Sequence, residues 1–119
     1  MNELAKRLFD FATRVILFVR TLPDEPEYRV IRYQLVKSAA SGGSNYEEAQ
    51  AGSSRPDFNN KNRISLREIR ESNYWLRLVK ETLTSNINQL NKEELDSLIQ
   101  ESHELKLILG SIVQKTRKK

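Results

Sequence analysis

The stretch "SAASGGSNYEEAQAG", residues 38–52, decides how this chain folds. Taken alone it looks like a flexible linker, with two adjacent glycines, serines around them and nothing large and apolar before Tyr46. Taken with the residues before it, it is ordered. Gln34, Ser38, Ser41, Asn45, Glu48 and Gly52 follow one another at spacings of four, three, four, three and four, an unbroken heptad seam. Beside that seam runs a second row of Tyr28, Ile31, Leu35, Ala39, Gly42, Tyr46 and Ala49, also at helical spacing. A linker has no reason to keep either row in register. The spacing therefore predicts a helix with a small-residue face. Gly42 and Gly43 each cost about 1 kcal/mol of helix propensity against alanine, and close approach of a neighbouring helix is the compensation. A phosphate-cradling loop is excluded, since no Gly-x-x-x-x-Gly-Lys spacing exists and no strand precedes it.

Working outward, one capping grammar recurs: Asp24-Glu25-Pro26-Glu27, Ser54-Arg55-Pro56-Asp57 and Asn91-Lys92-Glu93-Glu94. In each, a short polar side chain can accept from an orphan backbone N–H, while an acid three residues on complements the positive helix end. The two prolines fall in the first turn, where a missing N–H costs little. With the N-terminal start this gives four helices, at about 3–21, 26–52, 56–85 and 92–116. The first carries Leu4, Leu8, Phe11, Val15, Phe18 and Leu22 on one stripe, widened by Phe9, Ala12, Ile16 and Val19. The third aligns Ile64, Ile69, Ser72, Trp75, Leu76, Val79 and Leu83. The fourth aligns Leu95, Leu98, Ile99, Ser102, Leu105, Leu109, Ile112 and Val113. No segment alternates with the strand period, so the class is all-α.

The chain has 119 residues, enough for a single core but not two. Its composition, 38% hydrophobic and 30% charged, is that of a soluble globular domain, and the absence of cysteine fits a reducing compartment. The apolar run Val15–Val19 is too short and too closely flanked by charge to be a membrane span or a signal peptide. A cytoplasmic location is the expectation. The net charge of +4 is unevenly spread: +2 over residues 1–23, −2 over 24–52, +3 over 53–85 and +1 over 86–119. A basic segment and a basic tail are compatible with a nucleic-acid partner.

Arg63, Arg67, Arg70 and Arg77 share about a third of the third helix's circumference, with Lys80 at the edge, as a phosphate-contacting stripe would. The bland alternative is a solvated face, with Arg67–Glu71 and Arg77–Glu81 paired at i,i+4 spacing. Lys115, Arg117, Lys118 and Lys119 form a basic tail that adds non-specific attraction to RNA or DNA. Tyr33, Tyr46, Tyr74 and Trp75 can stack on bases, although aromatics at helical spacing more commonly fill a core. The polar seam of Gln34, Ser38, Ser41, Asn45 and Glu48, with Glu68 across from it, predicts a hydrogen-bond network that sets helix register. Catalytic readings are poor. His103 is the only histidine and has no metal-ligand spacing to a second ligand, and Glu47-Glu48 with Glu68 and Glu71 lacks the Glu-x-x-His partner of bundle metal sites. No nucleophile–base pair is visible, so no catalytic, cofactor or metal residues are assigned.

The pattern Gln34-Leu35, Lys37-Ser38-Ala39, Ser41, Asn45-Tyr46, Glu48-Ala49, followed by Arg67-Glu68, Glu71-Ser72 and Trp75-Leu76, resembles the 23S rRNA intervening-sequence protein family. The match covers nearly the whole chain and departs from the family at Gly42-Gly43. The resemblance implies an antiparallel up-down-up-down four-helix bundle assembled as a homopentamer, encoded within bacterial large-subunit rRNA genes and without a defined activity. It also implies kinship with the basic pentameric accessory protein of diversity-generating retroelements, which binds nucleic acid and a reverse transcriptase. Two expectations follow. One is a non-enzymatic oligomeric protein that binds RNA or DNA; the other is a structural module whose oligomer surface recruits a protein partner. Leu107 and Ile108, outside the main stripe of the fourth helix, are the expected oligomer contacts.

Overall fold

A computed structural model of the chain describes residues 2–52, 54–83 and 88–117. Within them lie four helices: α1 (Glu3–Val19), α2 (Pro26–Ala49), α3 (Arg55–Thr82) and α4 (Gln89–Arg117). No strand occurs among the described residues. The stretch around Gly42-Gly43 is unbroken helix, and among the described residues only Gly52 adopts a positive φ, of 88°, just past the end of α2. That is the left-handed conformation glycine adopts cheaply when a helix stops.

The ends of the helices show what the caps achieve. Asn2 Oδ1 accepts from the Ala5 N–H at 2.7 Å, and Ser54 Oγ accepts from the Asp57 N–H at 3.3 Å. Asp24 is not the cap of α2. Pro26 is itself the first helical residue, so Glu25 takes the cap position, and it makes no side-chain cap hydrogen bond. Asn91 is likewise displaced as a cap: Asn88 Oδ1 accepts from the Asn91 N–H at 2.9 Å, so α4 starts a turn earlier than Asn91-Lys92-Glu93-Glu94 suggested. The same Asn-x-x pattern was present one turn upstream. The expected end of the third helix, at residues 84 and 85, lies outside the described residues.

Cross-links between helices define the topology. Arg7 meets Glu101 and Arg14 meets Glu94, so α4 descends as α1 rises. Tyr28 Oη donates to Thr82 Oγ1 while Ser38 meets Ser72, so α2 and α3 are antiparallel. Asn73 meets Ser102 and Lys80 meets Asp96, which makes α3 and α4 antiparallel too. Each helix packs on its neighbours in sequence, and α4 closes on α1. The molecule measures 50 × 23 × 22 Å, two helix diameters across in both short directions. It is an antiparallel up-down-up-down four-helix bundle.

The core is continuous along the bundle axis. Leu8, Phe11, Val15, Leu35, Ile69, Leu76, Val79, Leu98, Leu105 and Leu109 are essentially inaccessible to solvent. All seven members of the row from Tyr28 to Ala49 are buried, Gly42 among them. The α1–α4 seam is the sparsest of the four, partly because α1 has 17 residues and α4 has 29. In the register of Arg7 with Glu101, Asn2 lies level with about Lys106, so α4 runs roughly 16 Å past the start of α1. At that end the bundle is three helices wide.

Candidate nucleic-acid interface

The α3 face opposite the core is where the basic residues gather. Its inward positions, Asn62, Ser65, Leu66, Ile69, Ser72, Asn73, Leu76 and Val79, are buried. This turns Arg63, Arg67, Arg70 and Arg77 to solvent, and all four are exposed. Arg63, Arg67, Arg70, Tyr74 and Arg77 follow at spacings of four, three, four and three, so they form one straight stripe. Tyr74 lies within it, 51% exposed. For Tyr74, and for Tyr33 at 64% exposure on α2, the core reading of the aromatics is therefore wrong. It holds for Tyr46, which is buried, and Trp75 is half-buried.

Within the stripe the cations are in different situations. Arg63, Arg67 and Arg70 form no ion pair with any of the described residues. The anticipated i,i+4 pairs are not made: Glu71 Oε2 instead accepts from Trp75 Nε1 at 3.0 Å, and Arg77 Nε donates to Asn73 Oδ1 at 2.8 Å. The Arg77 guanidinium also lies 5.9 Å from the centre of the Tyr74 ring. Lys80 is engaged with Asp96 at 2.8 Å across to α4, which leaves it less available than the three arginines. Lys115 and Arg117 are exposed at the end of α4. Lys118 and Lys119 lie outside the described residues.

The polar seam on α2 is brought together only in part. Ser38 and Ser72 hydroxyls are 2.8 Å apart, fully buried between α2 and α3; one donates to the other, and the accepting hydroxyl gives its own proton to a carbonyl of its own helix, Leu35 O for Ser38 or Glu68 O for Ser72. Asn45 donates from Nδ2 to Ser41 O and Ser41 Oγ, a link inside α2. Gln34 and Glu68 are half-buried, and Glu48 is exposed rather than part of an interior network.

Two buried links were missed. Ser65 Oγ donates to Gly42 O at 2.6 Å, and Asn73 Nδ2 donates to Ser102 Oγ at 2.8 Å. Their signal was present, since Ser65, Ile69, Ser72, Leu76 and Val79 form one four-three-four-three row and Asn62, Leu66, Ile69, Asn73 and Leu76 another. His103 is exposed, and no group of three or more His, Asp or Glu comes together among the described residues. No helix there is long and apolar enough to cross a membrane.

The buried members of the two patterns, Leu35, Ser38 and Ala39 on α2 and Ser72 and Leu76 on α3, thus belong to the interior, where Ser38 meets Ser72. Comparison with known proteins gives the same grouping. Residues 2–111 match the family model described as 23S rRNA-intervening sequence protein. The chain belongs to that family. A crystal structure of a protein of unknown function from the S23 ribosomal protein family of Bacteroides thetaiotaomicron is similar over 92% of this chain and 97% of that one. The two are 33% identical, with a TM-score of 0.77. No curated protein matches. Membership of the 23S rRNA-intervening sequence family accounts for the bundle and its two signature rows, and it assigns no activity to them.

Proposed function

We propose that this chain is a non-enzymatic, oligomeric accessory protein of the cytoplasm that binds RNA or DNA through the basic stripe of α3, without a cofactor. One contrast carries the reading. Arg7, Arg14 and Lys80, which span helices, are all paired with carboxylates, whereas Arg63, Arg67 and Arg70 are exposed and unpaired among the described residues. Three unpaired guanidiniums at heptad spacing, next to an exposed tyrosine, suit successive phosphates and a stacked base. The family's description, which refers to a 23S rRNA intervening sequence, fits such a partner.

Salt dependence tests it. Fluorescence anisotropy with labelled RNA and DNA should show binding that weakens steeply with salt, with little sequence preference. Each phosphate contact removed from a duplex lowers the slope of log K against log salt by about 0.9. The Arg63→Ala/Arg70→Ala double variant should therefore lower it by roughly 2. If the unaltered protein binds neither RNA nor DNA at low salt, the α3 stripe is an ordinary solvated face and the recruitment of a protein partner becomes the better reading.

A further inference from the structure

Tyr74 is the one ring in the cationic stripe of α3, and it is framed on two sides. Trp75, the sole tryptophan of the chain, meets it edge-to-face, with ring centres 5.5 Å apart and planes at 77°. Trp75 is itself tied down by its Nε1, which donates to Glu71 Oε2 at 3.0 Å. On the other side of Tyr74 around the helix, the Arg77 guanidinium lies 5.9 Å from the ring centre. Arg77 Nε donates to Asn73 Oδ1, and the buried Asn73 donates from Nδ2 to Ser102 Oγ on α4 at 2.8 Å. The frame around the tyrosine is thus anchored in the α3–α4 seam. Tyr33, the other widely exposed tyrosine, lacks one: among the described residues it meets no second ring, and its one cation is Lys37 at 5.9 Å. Arg77 is bonded to an amide oxygen rather than a carboxylate, so its charge stays available to a phosphate. Tyr74 stands between Arg70 and Arg77, which are about 10.5 Å apart along the helix. Glu81, next at the same spacing, ends the run of positive charge.

We infer that the α3 stripe selects single-stranded nucleic acid over duplex, with Tyr74 stacking on one unpaired base while Arg70 and Arg77 hold phosphates on either side of it. With 51% of its surface exposed, Tyr74 has ring area to offer. A side chain ordered on binding costs affinity, and a ring already framed by Trp75 and Arg77 avoids much of that cost. In a duplex each base face is covered by its neighbours, and exposing one requires unstacking. A duplex therefore engages only the arginines, whereas a single strand engages the arginines and the ring. Stacking accepts any base, so the selection is for strandedness and not for sequence. The inference rests on the nucleic-acid reading of α3 and adds to it the class of strand.

Trp75 supplies a local readout, because its emission comes from one place and that place adjoins Tyr74. Full-length protein is titrated with a short single-stranded RNA, with a duplex of the same length and with inorganic polyphosphate, following tryptophan fluorescence, and for the two RNAs anisotropy as well. The single strand should bind more tightly than the duplex and quench Trp75, while polyphosphate, which has no bases, should leave the emission unchanged. Tyr74→Leu, checked for folding by circular dichroism, should weaken single-strand binding about tenfold and leave duplex affinity and its salt slope as they were. Tyr74→Phe should behave as the parent, since the ring and not the hydroxyl does the stacking. A duplex bound as tightly as the single strand, a Tyr74→Leu variant that affects both RNAs alike, or quenching by polyphosphate overturns the stacking role and leaves the arginine stripe standing. If neither RNA binds even at low salt, the stripe itself fails and the selection for single strands falls with it.

Discussion

Gly42 and Gly43 are adjacent in sequence and meet different neighbours. A Cβ on Gly42 would lie 2.6 Å from Ile69 Cδ1 and 3.0 Å from its Cγ1, whereas a Cβ on Gly43 would meet nothing closer than Leu8 at 3.6 Å. Ile69 is fully buried and holds its place among the other core side chains. Gly42 is therefore required by the α2–α3 approach, and its carbonyl is tied to Ser65 besides. Gly43 sits in ordinary contact with α1. Alanine gains about 1 kcal/mol of helix propensity at either site, but at Gly42 the overpacking costs about 1–3 kcal/mol. Urea unfolding should find Gly43→Ala more stable than the parent and Gly42→Ala less stable. Equal effects of the two changes would dispose of the close-approach account. The sequence alone showed that a small-residue face was needed, not which glycine was crowded, because that depends on where Ile69 points.

At the scale of elements, the clasp between α1 and α4 compensates for their sparse packing. Arg14 forks onto Glu94, at 3.0 Å from Nε and 2.9 Å from Nη2, and reaches Ser97 Oγ at 2.7 Å. Arg7 forks onto Glu101 and extends to Glu104 at 3.1 Å. These pairs are about a third exposed, so each contributes modestly and is screened by salt. Arg14→Ala should lower stability by about 0.5 kcal/mol, with the difference shrinking in molar salt and with faster hydrogen exchange confined mainly to α1. The Glu104 carboxyl is held below its usual 4.5 by hydrogen bonds from Gln100 and Arg7. Its contribution is complete above that value and fades as acid carries the pH down through the lowered pKa. A thermal-melting series in which the Glu104→Gln variant loses stability most at low pH would contradict that sign. None of this clasp was legible beforehand, since residues some 80 to 94 positions apart in the chain share no local pattern. Helix number, type and inward faces were legible, because a heptad row states its own partner-facing side. Caps were legible only by type: Asn88 and Asn91 offer the same chemistry, and only the backbone shows which one starts α4. The arginine stripe was visible from spacing, as was the lack of an i,i+4 acid at Arg63 and Arg70, but that Arg67 and Arg77 leave Glu71 and Glu81 unpaired with them was not.

On the whole molecule, apolar surface remains that the four helices do not cover. Phe9 is 56% exposed, Ile16 39% and Leu17 53% on α1, with Val30 and Tyr33 on α2 and Leu107 on α4 similarly open. Phe9 and Ile16 are seven residues apart on one face of α1, with half-buried Ala12 between them. Of the two expected oligomer contacts, Leu107 is 59% exposed, while its neighbour Ile108 is half-buried in the chain's own fold. Surplus apolar faces on different helices suit a heterologous contact, in which one patch meets a different patch on the next copy and the ring closes. The number five comes from the family resemblance; the surface itself would equally permit a dimer. Light scattering at micromolar concentration should therefore return roughly five times the chain mass of 13.9 kDa. Phe9→Glu/Ile16→Glu should dissociate the assembly without unfolding the bundle, since both side chains are exposed in the single chain. Leu107→Glu/Ile108→Glu should dissociate it too, at some cost in chain stability from Ile108. If the α1 pair dissociates the ring and the α4 pair does not, the interface lies on α1 alone. A monomeric mass for the unaltered protein would refute the assembly and leave Phe9 and Ile16 as ordinary solvated residues.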